Sequence, residues 1–426
     1  MKDVLAIIMA GGKGERLMPL TRHRAKPAIT FGGIYRLIDI TLSNCINSAI
    51  YKIIVLPQYR SRTLMQHMEM GWNIFSPALG HFLQIIPPQM TKGDQWYLGT
   101  ADSIRQNLDI IKDTGLSYCL ILSGDHVYKM DYQRFLEYHR DSNAEVSIAA
   151  IELGKEFASS YGIIEVNSRW QVTGFQEKPK VPKTIPGDKE HVLASMGIYC
   201  FNTDTLLEIL ALDDKPDFGK DIIPSILSNR RVYAYPFRRY NHIKDITIEI
   251  DPKLGRKEVI VEKAEDSSYW RDVGTLDSYW NANMDLTGER PYFNLYGRLW
   301  PIRTYQMQYP PAKTTFTLDQ ENTSRSGQAL DSLVAHGCVI VGGVVRNSVL
   351  SYNVYVQEGA SVEESVILEN VVIGKGAKIK KAIIGDGVFI PPGTEIGFRP
   401  KEDMKRFTVT SRGITVITRD DLTPKE

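Results

Sequence analysis

The chain has 426 residues, 43% of them hydrophobic and 24% charged, with 33 Gly and 21 Pro. That composition excludes a disordered, collagenous or small disulfide-stapled chain and fits two or three folded domains. Fifty-one Lys and Arg against 50 Asp and Glu leave a formal charge of +1, so no overall field holds a nucleic acid or an acidic membrane, and any anion is met locally.

In chain order, short apolar runs alternate with helical patterns: strands over residues 4–9, 52–56, 118–122, 145–151, 162–166 and 198–201, helices over 38–47, 63–70, 102–111 and 131–141. The alternation predicts an α/β domain with a mixed, mostly parallel sheet and its ligand at the strand C-termini. The first run is too short for a signal sequence and no segment approaches ~20 apolar residues, so a cytoplasmic location is expected, away from any membrane. Cys45, Cys119, Cys200 and Cys338 show no zinc or redox spacing and read as reduced, buried thiols. Over 238–265, Ile246-Thr247-Ile248-Glu249-Ile250 alternates, Asp251-Pro252-Lys253-Leu254-Gly255 turns and Val259-Ile260-Val261 returns, the signature of a hairpin. Pro291, Pro301, Pro310 and Pro311, followed by the polar run Asp319-Gln320-Glu321-Asn322-Thr323-Ser324-Arg325-Ser326-Gly327, mark a connection. They divide the chain into a first domain 1–285, a linker 286–335 and a last domain 336–426.

The last domain repeats. Val339, Val356, Ile373 and Ile390 recur every 17 residues, as do Val345, Val362, Ile379 and Ile396, and again Leu350, Ile367 and Ile384. Gly342, Gly359, Gly376 and Gly393 keep the same beat, at turns that need a positive φ. Three apolar positions per period predict a left-handed parallel β-helix of the hexapeptide type, about four coils long. A β-sandwich would have to match four registers by accident.

After the first strand, Ala10-Gly11-Gly12-Lys13-Gly14-Glu15-Arg16-Leu17 is a glycine-rich turn whose backbone amides can approach phosphate oxygens. It lacks the ending of a P-loop, and Leu17 stands where a dinucleotide fingerprint has its third glycine; alone, it fits an empty tight turn equally well. Arg16 and the Lys26 of Arg24-Ala25-Lys26-Pro27-Ala28 add positive charge suited to a polyphosphate.

Gly11-Gly12 through Arg16-Leu17-Met18-Pro19-Leu20-Thr21, then Lys26-Pro27, resemble the opening of the sugar nucleotidyltransferase family. Trp96-Tyr97-Leu98-Gly99-Thr100-Ala101-Asp102, Ser123-Gly124-Asp125-His126, Phe175-Gln176-Glu177-Lys178-Pro179, Ser195-Met196-Gly197-Ile198-Tyr199, Asp217-Phe218-Gly219-Lys220-Asp221 and Tyr269-Trp270-Arg271-Asp272-Val273-Gly274-Thr275 follow in order. They look like one branch, the ADP-glucose pyrophosphorylases, and the likeness covers almost the whole chain. It implies a Rossmann-like nucleotidyltransferase domain before the β-helix, and attack by the phosphate of glucose 1-phosphate on the α-phosphorus of ATP. That nucleophile is already an anion and needs no general base, so catalysis rests on positioning and charge.

The resemblance assigns Mg²⁺ to Asp125 and Asp272, oxygen ligands of the type this ion takes, and the triphosphate to Arg16 and Lys26. Without it, Asp125 serves equally well as the cap of a helix. ATP would be met by Gly11, Gly12, Gly14, Gln58, Gly99, Thr100 and Asp102. The sugar phosphate would be met by Glu177 and Ser195 at hydroxyls and Lys178 at the phosphate, within Tyr97, Gly162, Tyr199, Asp217 and Trp270. Adjacent strand residues such as Glu177 and Lys178 point to opposite faces, so the Pro179 after them implies a bend; on residues alone, they fit a surface ion pair as well.

Members of the branch are commonly controlled by phosphorylated metabolites bound between the domains and form tetramers, so a homotetramer is expected. Candidate effector residues are His23, Arg24, Arg36 and Arg419, among the basic set Arg22, Arg399, Lys401, Lys405, Arg406 and Arg412; a solvated charged face is the alternative. His23 stands where relatives often carry lysine, and the segment ending Asp420-Asp421-Leu422-Thr423-Pro424-Lys425-Glu426 is shorter than their basic tail. Both features would weaken a doubly phosphorylated sugar's hold. Competing functions are a pyrophosphorylase for UDP-glucose, dTDP-glucose or GDP-mannose, and a non-catalytic regulatory subunit. An acyltransferase working from the β-helix would lack its usual base, since no His follows His336.

Overall fold

The computed structural model describes residues 1–89, 96–253, 255–318 and 324–422. Leu254 of the hairpin turn, residues 319–323 of the polar run and the final Thr423-Pro424-Lys425-Glu426 lie outside the described residues.

The sheet of the first domain is built from β1 (Val4–Ala10), β2 (Lys52–Pro57), β3 (Phe82–Ile85), β4 (Tyr118–Ser123), β5 (Val146–Gly154), β6 (Gly162–Val166), β7 (Val172–Glu177), β8 (His191–Asn202) and β9 (Val232–Pro236). Its order is β7-β6-β8-β4-β1-β2-β3, with β5 also on β8 and β9 on β5. The half around β1 is parallel throughout, and β8 joins the other half by antiparallel pairing. Because β1 is covered on both faces, it reads as a continuous apolar run. Val4, Ala6 and Ile8 enter one core with Leu37 and Ile38, while Leu5 and Ile7 enter the other with Ile104 and Leu206.

Two expected elements differ. The helix expected over 102–111 is two, Thr100–Arg105 and Leu108–Asp113. Asn107 breaks it by donating its amide to the carbonyl of Ser103 (2.7 Å) and to Tyr97 Oη (3.1 Å), a side-chain alternative to helical bonding. The strand expected over 198–201 is the much longer β8, whose register shifts between Ser195 and Tyr199 around Gly197 at φ 66°, a bulge. The expected hairpin is present as Asp245–Asp251 paired with Gly255–Val261, and all four cysteines are buried and free.

The β-helix begins at Lys313, inside the stretch read as linker. Lys313–Leu318, Gln328–Leu330 and Leu333–Val334 pair in parallel with the next coil, because prolines and polar residues mark the turns of a first coil as readily as a connection. The remaining connection is docked: Trp300 donates to Asn44 Oδ1 at 2.8 Å, and the Arg303 amide to Ser43 Oγ at 2.8 Å. One repeat register also changes. Val356 stacks on Ile340, not on Val339, since the turn through Gly342 and Gly343 is one residue shorter than its successors. The four glycines of the beat all have positive φ.

On the third face of the β-helix, Leu350, Ile367, Ile384 and Ile417 point inward. Their neighbours Val366, Ile383 and Val416 point outward into the core of the first domain. The two domains therefore share one apolar core.

Candidate active site

Parallel pairing brings three strand ends together. Met9 lies opposite Ser123 and Ala10 opposite Pro57, so the glycine turn emerges between Gln58 and Gly124-Asp125. A Cβ on Gly11 would come 3.1 Å from Gln58 Cβ, and on Gly14, at φ +66°, 2.8 Å from Thr21 Cγ2. The same turn packs on Lys26, which is buried in the short helical turn Lys26–Ala28.

Asp272 arrives from far along the chain. Trp270–Asp272 pairs antiparallel with His126–Tyr128, with Asp272 opposite His126. Lys26 Nζ thereby lies 2.5 Å from Asp125 Oδ2 and 3.7 Å from Asp272 Oδ1. Arg16 Nη2 closes the far side: a Cβ on Gly274 would lie 3.0 Å from it and 3.1 Å from Asp272 Oδ2. Burial pushes the Asp125 carboxyl upward. The charge of Lys26, with hydrogen bonds from Lys26 and Ser123 Oγ, outweighs that and holds it well below the usual carboxylate range. Two carboxylates on one cation, offering only oxygen, fit the donor set of Mg²⁺.

Beside the carboxylates is a cavity of about 270 Å³ that brings together Gly162, Glu177, Lys178, Ser195, Tyr199, Asp217 and Trp270 with Asp272. β7 ends at Glu177, and Lys178 takes φ 48°, a left-handed turn that lets both side chains serve one pocket; Lys178 Nζ lies 2.8 Å from Glu177 Oε1. Gly162 is required by space, since a Cβ there would lie 2.4 Å from Phe175 Cζ and 3.0 Å from Glu177 Oε2. Tyr199 stacks on Phe218 at 5.7 Å, and burial raises its phenol well above its ordinary value.

Three expected residues are placed otherwise. Tyr97 does not line the sugar cavity: its ring is in the core, and its hydroxyl donates to the Ile86 carbonyl (3.3 Å) and accepts from Asn107. The Asp102 carboxylate is occupied by the Leu98 amide (2.9 Å), Gln106 (2.8 Å) and Arg105 (3.3 Å), which makes it a local brace. Thr100 belongs to the wall of the sugar cavity and accepts from the Phe218 amide at 3.1 Å. Gly99 lies where the chain touches Pro216, whose oxygen would be 2.4 Å from a Cβ, and Gln58 donates to the Tyr97 carbonyl at 3.2 Å. Ser123, His126, Tyr161 and Phe218 line the cavity and were assigned no role from the sequence; each adjoins, or lies within two residues of, a residue that was given one.

The basic cluster lies between the domains. His23, Arg24 and Arg419 line one cavity of about 280 Å³, and Arg24 and Arg36 a second of about 220 Å³. Arg22 and His23 meet Asp420 at 2.7 and 3.0 Å, Arg24 meets Asp386 at 2.6 Å and Arg36 meets Glu369 at 2.8 Å. Arg399, Lys401, Lys405, Arg406 and Arg412 are exposed and line neither cavity.

A nucleotidyl transferase family model matches residues 5–289, which hold Arg16, Lys26, Asp125, Asp272 and every residue lining the sugar cavity. The chain belongs to that family. A model for a GlmU-like, C-terminal hexapeptide domain matches residues 310–417, the left-handed β-helix. Among curated relatives, glucose-1-phosphate adenylyltransferase 1 of Alkalilimnicola ehrlichii is 47% identical over 99% of this chain and 95% of its own. The glucose-1-phosphate adenylyltransferase of Koribacter versatilis is 44% identical over 99% and 96%, and the second such protein of Vibrio cholerae 43% over 98% of each. No helix among the described residues is long and apolar enough to cross a membrane.

Proposed function

We propose that the chain transfers the adenylyl group of ATP to α-D-glucose 1-phosphate, giving ADP-glucose and pyrophosphate for α-glucan synthesis. The observation that carries this reading is the meeting of Lys26, Asp125 and Asp272 between a glycine turn and a cavity of sugar size. A phosphate oxygen of the sugar attacks the α-phosphorus, and the bond to the β-phosphate breaks with its electron pair on pyrophosphate. Arg16 and Lys26 hold the triphosphate and offset the charge that develops on the leaving group. Lys178 holds the sugar phosphate, and Glu177 and Ser195 orient the sugar through its hydroxyls, so that two mutually repelling anions are kept in line. Asp125 and Asp272 would hold Mg²⁺, which supplies further charge neutralisation at the reacting phosphates.

Pyrophosphate release from glucose 1-phosphate with each of ATP, UTP, dTTP and GTP tests the reading. Turnover confined to ATP is expected; preference for another nucleotide would transfer the chain to a different sugar-nucleotide synthesis, and none with any would make it a non-catalytic subunit. The working form is a homotetramer, which exposed aromatic side chains such as Tyr355 and Phe389 on the β-helix favour, and it works in the cytoplasm; a monomer mass by light scattering at micromolar concentration would overturn the tetramer. Phosphorylated metabolites act at the interdomain cavities lined by His23, Arg24, Arg36 and Arg419.

A further inference from the structure

His126 has no role in the mechanism above, yet its surroundings are those of a ligand contact. Its side chain is 12% exposed. Nδ1 is enclosed and has no hydrogen-bond partner among the described residues, and Nε2 lies 3.7 Å from Asp125 Oδ1 and 3.8 Å from Asp272 Oδ1, beyond hydrogen bonding to either. The ring is held edge-on to Trp270 at 5.2 Å and 76°, and its strand is pinned to Trp270–Asp272. The cover on its Cε1 edge is Gly197, where even a Cβ would stand 3.8 Å away.

A buried polar group without a partner is costly, and such groups in native proteins call for an explanation. An enclosed N–H is rarer than an enclosed acceptor, which puts the proton on Nε2 and leaves a donor between the two carboxylates. His126 lines the same cavity as Glu177, Lys178 and Ser195. The group of the sugar ligand that has to reach this point is the phosphate, because it alone attacks the nucleotide above the glycine turn.

We propose that His126 Nε2 donates a hydrogen bond to the phosphate of glucose 1-phosphate, making His126 a substrate-binding residue alongside Lys178. The inference rests on the adenylyltransferase reading. A purely structural role, bracing Asp125 and Asp272, would instead disturb the metal and both substrates together.

The test is steady-state kinetics on the full-length protein with each substrate varied, together with Mn²⁺ binding by calorimetry as a readout independent of turnover. His126→Ala and His126→Asn are expected to raise the KM for glucose 1-phosphate at least about tenfold, as for loss of a bond to a charged group. The KM for ATP and the Mn²⁺ affinity should stay within about threefold. His126→Gln carries an amide nitrogen near the Nε2 position and should restore the KM for glucose 1-phosphate to within about threefold of the parent. Unchanged KM for glucose 1-phosphate, an equal rise in both KM values, or failure of Gln to rescue would overturn the proposal. Should the alanine variant fail to fold, the Asn and Gln pair decides. A parent that turns over no glucose 1-phosphate would refute the adenylyltransferase reading itself, which separates the two failures.

Discussion

At the scale of single residues, Asp125 owes its chemistry to its neighbours. Lys26 at 2.5 Å, itself buried, favours the ionised form of a partly buried carboxyl against the opposing pull of desolvation. Asp125→Asn or Asp272→Asn should lower kcat at least ~100-fold, the scale for losing one charge-stabilising group, and near-normal pyrophosphate release by either variant would remove the metal assignment. His139 shows the opposite balance. Burial lowers its pKa, and Nδ1 meets Ser147 Oγ at 2.8 Å while Nε2 meets Asn202 Oδ1 at 3.1 Å. Its folded pKa lies below the unfolded value of ~6.5, so the unfolded chain binds more protons as pH falls below that value. Stability should therefore be full above about pH 7 and decline toward pH 5. Thermal melts should show a smaller acid loss in His139→Gln; an equal loss would place the acid-sensitive group elsewhere.

At the scale of elements, two irregularities build the sugar pocket. The left-handed Lys178 at the end of β7 overrides the strand alternation that would separate it from Glu177, and the bulge in β8 carries Ser195 and Gly197 to the same cavity. Pro179 made the bend legible in the sequence, but nothing local announced the bulge. Gly162 on β6 is the spacer between them. Gly162→Ala should displace Phe175 and Glu177 and raise the KM for glucose 1-phosphate ~10-fold or more while leaving the KM for ATP nearly unchanged. An effect on ATP alone would mean that this strand end faces the nucleotide.

At the scale of the whole molecule, the outward column Val366, Ile383 and Val416 fuses the β-helix to the first domain. Ion pairs from Arg22, Arg24 and Arg36 to Asp420, Asp386 and Glu369, with a hydrogen bond between His23 and Asp420, line the seam. Arg24 is two residues from Lys26, so an anion that displaced these carboxylates would act on a catalytic side chain through little backbone, and coupling of ~1–3 kcal/mol changes activity 5- to 150-fold. A phosphorylated effector is expected to change the rate, with fructose 1,6-bisphosphate weak and its effect increased in His23→Lys. A screen of sugar phosphates, phosphoglycerate, AMP and phosphate on both proteins checks this, and strong activation of the unmutated chain by the bisphosphate would show that other cations bind it.

The sequence by itself determined the local and periodic features. The 17-residue beat with its positive-φ glycines, the strand-turn sequence of the glycine loop and the alternating hairpin are encoded within a few residues of where they act. Tertiary structure alone decided which distant residues meet. Asp272 reaches Asp125 through the pairing of Trp270–Asp272 with His126–Tyr128, Tyr97 turns into the core, and Lys313 starts the first coil. Even within the repeat, Ile340 replaces Val339 because stacking against the neighbouring coil, not spacing along the chain, sets register. Such meetings depend on strand order and packing, which no short stretch of the chain carries.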